Sequence, residues 1–228
     1  MAFVAVGYEV ALVRHGEAYC NVNGLIAGGS CQGLTAVGGH QANQVARRFL
    51  VEHSAGQPIV QLHTSPVRRA WQTARAVSAL TGAEPVVHHD LRVPDPGPVD
   101  GQPWEAVRRQ HGSDPDRPSR PLAVGGERWR DYLARAHGCL ADILNSHPGG
   151  RVVIVGHKET LTAALTLLIN ADELGALGLT LHHTGITRLI ARGEPPAAHV
   201  AHRLWRLSVH NDTAHLEHRF VTMRPGST

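Results

Sequence analysis

Three short stretches of this sequence carry side chains suited to one chemistry. They are Arg14-His15-Gly16-Glu17, Thr64-Ser65-Pro66 leading into Arg68-Arg69, and Gly156-His157. An imidazole is largely unprotonated near neutral pH and can attack an electrophile through a ring nitrogen. A guanidinium presents paired N–H donors that match the oxygens of a phosphoryl group. Glycine beside them lets the backbone come close to a ligand. Together these groups form a kit for holding a phosphoryl group and attacking it. One such residue after a strand is usually a capping or surface residue. Three endings of matching chemistry are harder to dismiss.

The stretches can converge only if the elements before them share an edge. Val10–Val13 is a short apolar run with β-branched residues, and Arg151–Val155 is the clearest buried strand in the chain. Ile59–His63 reads as another strand, and Pro85–His89 as a further one. Apolar periodicity and breakers predict helices over Ala36–Glu52, Val67–Leu80, Glu127–Asn145 and Thr160–Ile169. Thr187–Ala191 and Trp205–Val209 read as late strands pairing antiparallel at one side. This alternation predicts an α/β fold, a three-layer α/β/α sandwich with a mostly parallel central sheet. Parallel strands deliver their following residues to one carboxyl edge, where ligands bind. Residues 1–228 are expected to form a single domain, Asn21–Leu34 a loop, and 91–126, rich in Pro, Gly and Asp, an irregular lid insertion with a short helix at Trp104–Gln110.

Composition narrows the partners. The formal net charge is +3, and Lys158 is the only lysine, so arginine carries the remaining basic charge. No basic run interleaves with aromatics, so nucleic acid is not indicated. No apolar run approaches the ~20 residues that span a bilayer, and the N-terminus lacks a basic leader region, so neither a membrane segment nor a signal peptide is expected. Three cysteines, Cys20, Cys31 and Cys139, without a C-x-x-C spacing suit a reducing, cytoplasmic setting. The pairs His88-His89 and His182-His183 lack metal-site spacing, and neighbours on a strand point to opposite faces. No metal and no cofactor are expected.

The chain resembles the histidine phosphatase superfamily, also called phosphoglycerate mutase-like. The resemblance rests on Leu12-Val13-Arg14-His15-Gly16-Glu17 with Asn21, on Leu34-Thr35 with Gly38, on Ser65-Pro66-Val67-Arg68-Arg69-Ala70-Trp71-Gln72-Thr73-Ala74, and on Val152–His157. Asn211–Leu216 is similar to the tail of bacterial members. The resemblance implies that His15 is the nucleophile, forming a phosphohistidine. It implies that Arg14, Arg69 and His157 surround the phosphoryl oxygens and that Asn21 adds a hydrogen bond to them. Glu17 is a further substrate-binding candidate, and Lys158, which stands where members often have a glycine, either reaches the distal charge of the substrate or sits solvated at a helix start. A phosphomonoesterase acting on a small phosphorylated metabolite is the expectation. Proteins of this kind are commonly homodimers.

One departure matters. Many members hold a proton-donating glutamate in L-R-E-x-x-x-G-x-x-E-G; here the frame reads Leu91-Arg92-Val93-Pro94-Asp95-Pro96-Gly97-Pro98-Val99-Asp100-Gly101. Val93 cannot donate a proton. Asp95, two residues on, is the favoured replacement, with Asp100 and Glu159 as alternatives. Without any donor the chain would be a binding protein for phosphoesters. A cofactor-dependent phosphoglycerate mutase is a further alternative, ranked lower because Gly24–Gly29 replaces the longer, more charged segment common in mutases.

Overall fold

The computed structural model describes residues 8–111, 121–147, 149–169, 178–191 and 204–216. Part of the expected lid, 112–120, and the N-terminal approach to the first strand lie outside the described residues.

Six strands form one sheet: β1 (Glu9–Arg14), β2 (Ile59–Thr64), β3 (Pro85–Val87), β4 (Arg151–Gly156), β5 (Ile186–Ala191) and β6 (Trp205–Asp212). Their order is β3-β2-β4-β1-β5-β6. The first four are parallel, and β5 and β6 add antiparallel at one side, as the sequence predicts. Helices α1 (Tyr19–Val22), α2 (Ala36–Ser54), α3 (Arg68–Thr81), α4 (Trp104–His111), α5 (Trp129–Asn145) and α6 (Lys158–Leu168) complete the fold.

Alternation along β1 and β4 makes the three layers. Val10, Leu12, Val152 and Ile154 pack with residues of α5 and α6, including Tyr132, Leu140, Leu144 and Leu161. Ala11, Val13, Val153 and Val155 pack with Val45, Phe49, Ala74 and Val77 of α2 and α3. Burying side chains of this size stabilises by about 1.5–3 kcal/mol each. The sheet is therefore a rigid platform between two apolar layers.

Register decides what sits at the carboxyl edge. Arg14 lies beside Gly156 and Thr64 beside Val155. His15 N–H donates to the Gly156 carbonyl at 2.9 Å. Thr35 caps α2 by accepting from Gly38 N–H at 3.0 Å, and Gly82, at φ +73°, ends α3.

Three local expectations change. The loop after Glu17 contains the short helix α1, fastened where Ala18 N–H donates to Asn21 Oδ1 at 3.0 Å. Helix α6 begins at Lys158, two residues early, so Lys158 and Glu159 lie in its first turn. The 91–126 segment is ordered where described: Ile26 N–H donates to Gln102 O, Gly101 N–H to Ile26 O and Trp104 N–H to Gly24 O. A small core of Ile26, Val99, Val107 and Ala123 joins it to the loop after α1.

Candidate active site

His15 closes β1 and is only 3% exposed. Its Nδ1 lies 2.7 Å from the Gly16 carbonyl, an acceptor, so Nδ1 carries the proton. The Nε2 lone pair is left facing outward from the backbone, and Arg69 Nε–H donates to it at 3.1 Å. This tautomer is the one a nucleophile needs. The preceding Arg14 donates from Nη1 to the Leu181 carbonyl at 2.6 Å, which fixes the direction of its guanidinium.

Arg69 enters from the first turn of α3 and is 4% exposed. Its Nη2 donates to Ala27 O at 3.1 Å, tying it to the loop after α1. Thr73, one turn on, accepts from Gly16 N–H at 3.1 Å and donates to Arg69 O at 2.8 Å. The helix is thus pinned to the loop that follows His15. Arg68, its neighbour in sequence, is exposed.

His157 is fully buried at the junction of β4 and α6, its ring centroid 5.2 Å from that of His15. Its Nε2 lies 2.9 Å from Ser65 Oγ, which ends the β2 approach. The three endings read from sequence therefore meet. Burial first, then the positive charges of Arg69 and Arg14, holds both His15 and His157 well below the ordinary imidazole range. Burial also lowers the Arg14 guanidinium, which the Glu159 carboxylate opposes.

Polar atoms at the centre point to a ligand. Arg14 Nε, Arg69 Nη1, His157 Nδ1 and His183 Nε2 are buried without a hydrogen-bond partner among the described residues. Buried polar nitrogens of this kind are costly unless something binds them. The donor set is cationic or neutral, so the complementary ligand is an anion.

The remaining candidates are placed as follows. Asn21 is exposed on α1, its Oδ1 used by Ala18 N–H. The Glu17 carboxylate accepts from Thr35 Oγ1 at 2.8 Å, and Lys158 is exposed at the start of α6. Asp95 sits on an exposed turn, where its carboxylate accepts from Gly97 N–H at 2.8 Å; no described contact brings it to His15. Asp100 binds the loop instead, accepting from the backbone of Gly28, Gly29 and Ser30.

Two features are new. His183, dismissed with His182 as a metal pair, lies with its ring centroid 5.7 Å from that of His15. Cys20 and Cys31 place their sulfurs 3.0 Å apart, both buried. The hydrogen bond from Cys20, with smaller contributions from the Gly33 backbone and Arg69, lowers the Cys31 thiol against its burial. Neither feature has a spacing signal in sequence.

Comparison with known proteins agrees with this fold. A family model described as histidine phosphatase superfamily (branch 1) matches residues 10–203. A relative from Yersinia enterocolitica, named probable phosphoglycerate mutase GpmB, is 28% identical over 218 residues, covering 92% of this chain and 95% of its own. The mycobacterial glucosyl-3-phosphoglycerate phosphatase, solved with VO3, superposes with a TM-score of 0.75 at 23% identity over 90% of this chain and 98% of its own. A phosphoserine phosphatase from Entamoeba histolytica, solved with phosphoserine, gives a TM-score of 0.70 at 23% identity over 92% and 99%. The family model spans all three strand endings and the cluster they build, and on that match the chain belongs to the histidine phosphatase superfamily, branch 1.

Proposed function

We propose that the protein is a metal-independent phosphomonoesterase that hydrolyses a small phosphorylated metabolite through a phosphohistidine on His15. The observation that carries this reading is the outward Nε2 lone pair of His15 ringed by buried, unanswered donors. A phosphoryl group arriving there takes the Arg69 Nε–H that now points at the lone pair, which frees the nucleophile as the electrophile binds. Nε2 then attacks phosphorus and the P–O bond to the leaving group breaks. Arg14, Arg69 and His157 neutralise charge on the equatorial oxygens, and fixed donors in a dry site are most effective at this. Water attacks the phosphohistidine in the second step, returning His15 and releasing phosphate.

The leaving oxygen needs a proton. Asp95 is the donor favoured from sequence, yet its carboxylate is bound to Gly97. Glu159 follows His157 by two residues in the first turn of α6, and its charge reaches Arg14. These observations favour Glu159.

The test is steady-state phosphate release from a panel of phosphomonoesters by wild type and His15→Ala, with mass spectrometry for an acid-labile phosphoryl adduct. Hydrolysis that vanishes in His15→Ala, with the adduct mapped to His15, supports the reading. Hydrolysis unchanged in His15→Ala ends it. Phosphoester binding without turnover would favour the binding-protein reading that Val93 suggests.

A further inference from the structure

We propose that His183 is a phosphoryl-binding residue, a fourth side-chain donor that completes the cradle made by Arg14, Arg69 and His157. This rests on the phosphatase reading of the site and adds a residue to it.

The turn that carries His183 is built to aim it. Thr184 N–H donates to the Arg14 carbonyl at 2.9 Å, so the turn is stapled to the nucleophile strand. Thr184 is fully buried at φ +56°, a left-handed conformation that β-branched residues rarely adopt. Its Oγ1 donates to His183 O at 2.8 Å and lies 3.2 Å from His215 Nε2. Gly185 N–H closes the turn on His182 O at 3.0 Å. His182 is held away from the site, its N–H donating to Asn211 Oδ1 at 2.8 Å and its Nδ1 2.7 Å from Asn211 Nδ2. Adjacent histidines therefore take opposite duties: one fastens the turn to β6, the other faces His15.

The surroundings of His183 define its ligand. Among the described residues, Arg14 from β1, Arg69 from α3 and His15 are the charged or titratable groups near it beyond its own turn. Among the described residues no carboxylate acts on it, and its buried Nε2 meets no partner. The two arginines disfavour a metal and disfavour a charged imidazole standing alone. They favour a neutral ring that donates N–H to an anion already drawn in by the arginines. A phosphoryl group bound at His15 Nε2 supplies that anion.

The experiment compares His183→Gln, which keeps an N–H donor, with His183→Leu, which keeps bulk without one. Inorganic phosphate and orthovanadate serve as probes, read as competitive inhibition constants and by calorimetry, with circular dichroism as the folding control. One hydrogen bond to a charged group predicts that His183→Leu weakens both probes by about tenfold or more while His183→Gln stays within a few-fold of wild type. Should the leucine variant fail to fold, the imidazole nitrogen spectrum of wild type decides: the His183 signal, assigned by its loss in His183→Gln, shifts on phosphate saturation. Equal phosphate affinity in His183→Leu and wild type, or a His183 signal indifferent to phosphate, overturns the proposal and leaves the phosphatase reading standing. A wild-type protein that neither binds phosphate nor hydrolyses a phosphomonoester takes both down.

Discussion

In the proposed reaction His15 attacks through Nε2, and a backbone carbonyl makes that possible, because Gly16 O fixes the proton on Nδ1. Its environment sets when that nucleophile is available. Burial and the neighbouring cations lower the His15 pKa, so the ring stays unprotonated well below the usual histidine midpoint near 6.5. kcat/KM should therefore show no acid limb of His15 at 6.5. A pH–rate profile whose acid limb sits at 6.5 for several substrates of different phosphate pKa would contradict this. The proton donor gives a second test at this scale. Glu159→Gln should lower kcat by about 10²-fold or more, most for poor leaving groups, and Asp95→Asn should stay within a few-fold. The reverse pattern in single-turnover assays would return the role to Asp95. The four central residues were legible because motif and strand ending coincide at Arg14, His15, Arg69 and His157. His183 was not, since a left-handed Thr184 cannot be read from its name, and Cys20 and Cys31 meet only because the chain folds back between them.

Elements, not single contacts, hold the nucleophile loop in place. The first turn of α2 lies directly on it: a Cβ at Gly38 would overlap the Glu17 carbonyl oxygen, and one at Gly16 would overlap the Gly38 carbonyl. Glu17 N–H donates to Gln41 of the same helix at 2.8 Å. Gly38→Ala must push α2 and the loop apart. The expected result is a loss of about 1–3 kcal/mol of stability, with kcat/KM falling far more than thermal stability alone would explain. Wild-type kinetics in a well-folded Gly38→Ala protein would show that the packing does not position His15. The strands and long helices were legible from periodicity, and so was the antiparallel side of the sheet. Helix starts were less so. The early start of α6 matters because it puts Glu159 in the first turn, and short polar spans such as Tyr19–Val22 give periodicity too little length to act on.

Across the whole molecule, charge is divided between the two ends of the parallel strands. The end away from His15 is neutralised internally: Arg151 donates to Glu9 at 2.9 Å and Glu52 at 2.7 Å, and Arg188 to Glu9 at 2.6 Å and Glu52 at 2.9 Å. Removing one member strands the others in a buried site, so Arg151→Met should cost about 3–5 kcal/mol in urea unfolding while leaving KM unchanged. A loss near zero would mean water replaces the guanidinium freely. The His15 end is built differently, with His15, His157 and His183 as neutral imidazoles beside Arg14 and Arg69, and together with the buried His63 and His215 elsewhere they couple stability to pH. Burial is the main cause throughout: it lowers His63, beside His88 and His147, to about 3, His183, beside Arg14, to about 3, and His215 to about 4 although Asp212 opposes it, and His15 and His157 fall too. Each stays neutral in the folded chain at pH 5, whereas the unfolded chain protonates it below about 6.5. The unfolded state then binds more protons, so stability is full above 6.5 and declines as pH falls toward the folded values. Glu52 acts later: burial raises its pKa, but Arg48, Arg188 and Arg151 outweigh that, so its contribution is lost only below the ordinary carboxylate range. Urea midpoints should fall steeply from pH 6.5 to 5. His63 is 3% exposed, so His63→Gln should remove up to about 1.4 kcal/mol per pH unit of that slope. A midpoint unchanged from pH 7 to 5 would mean these rings are charged or solvated in the fold, and the neutral site on which the proposed chemistry depends would go with them.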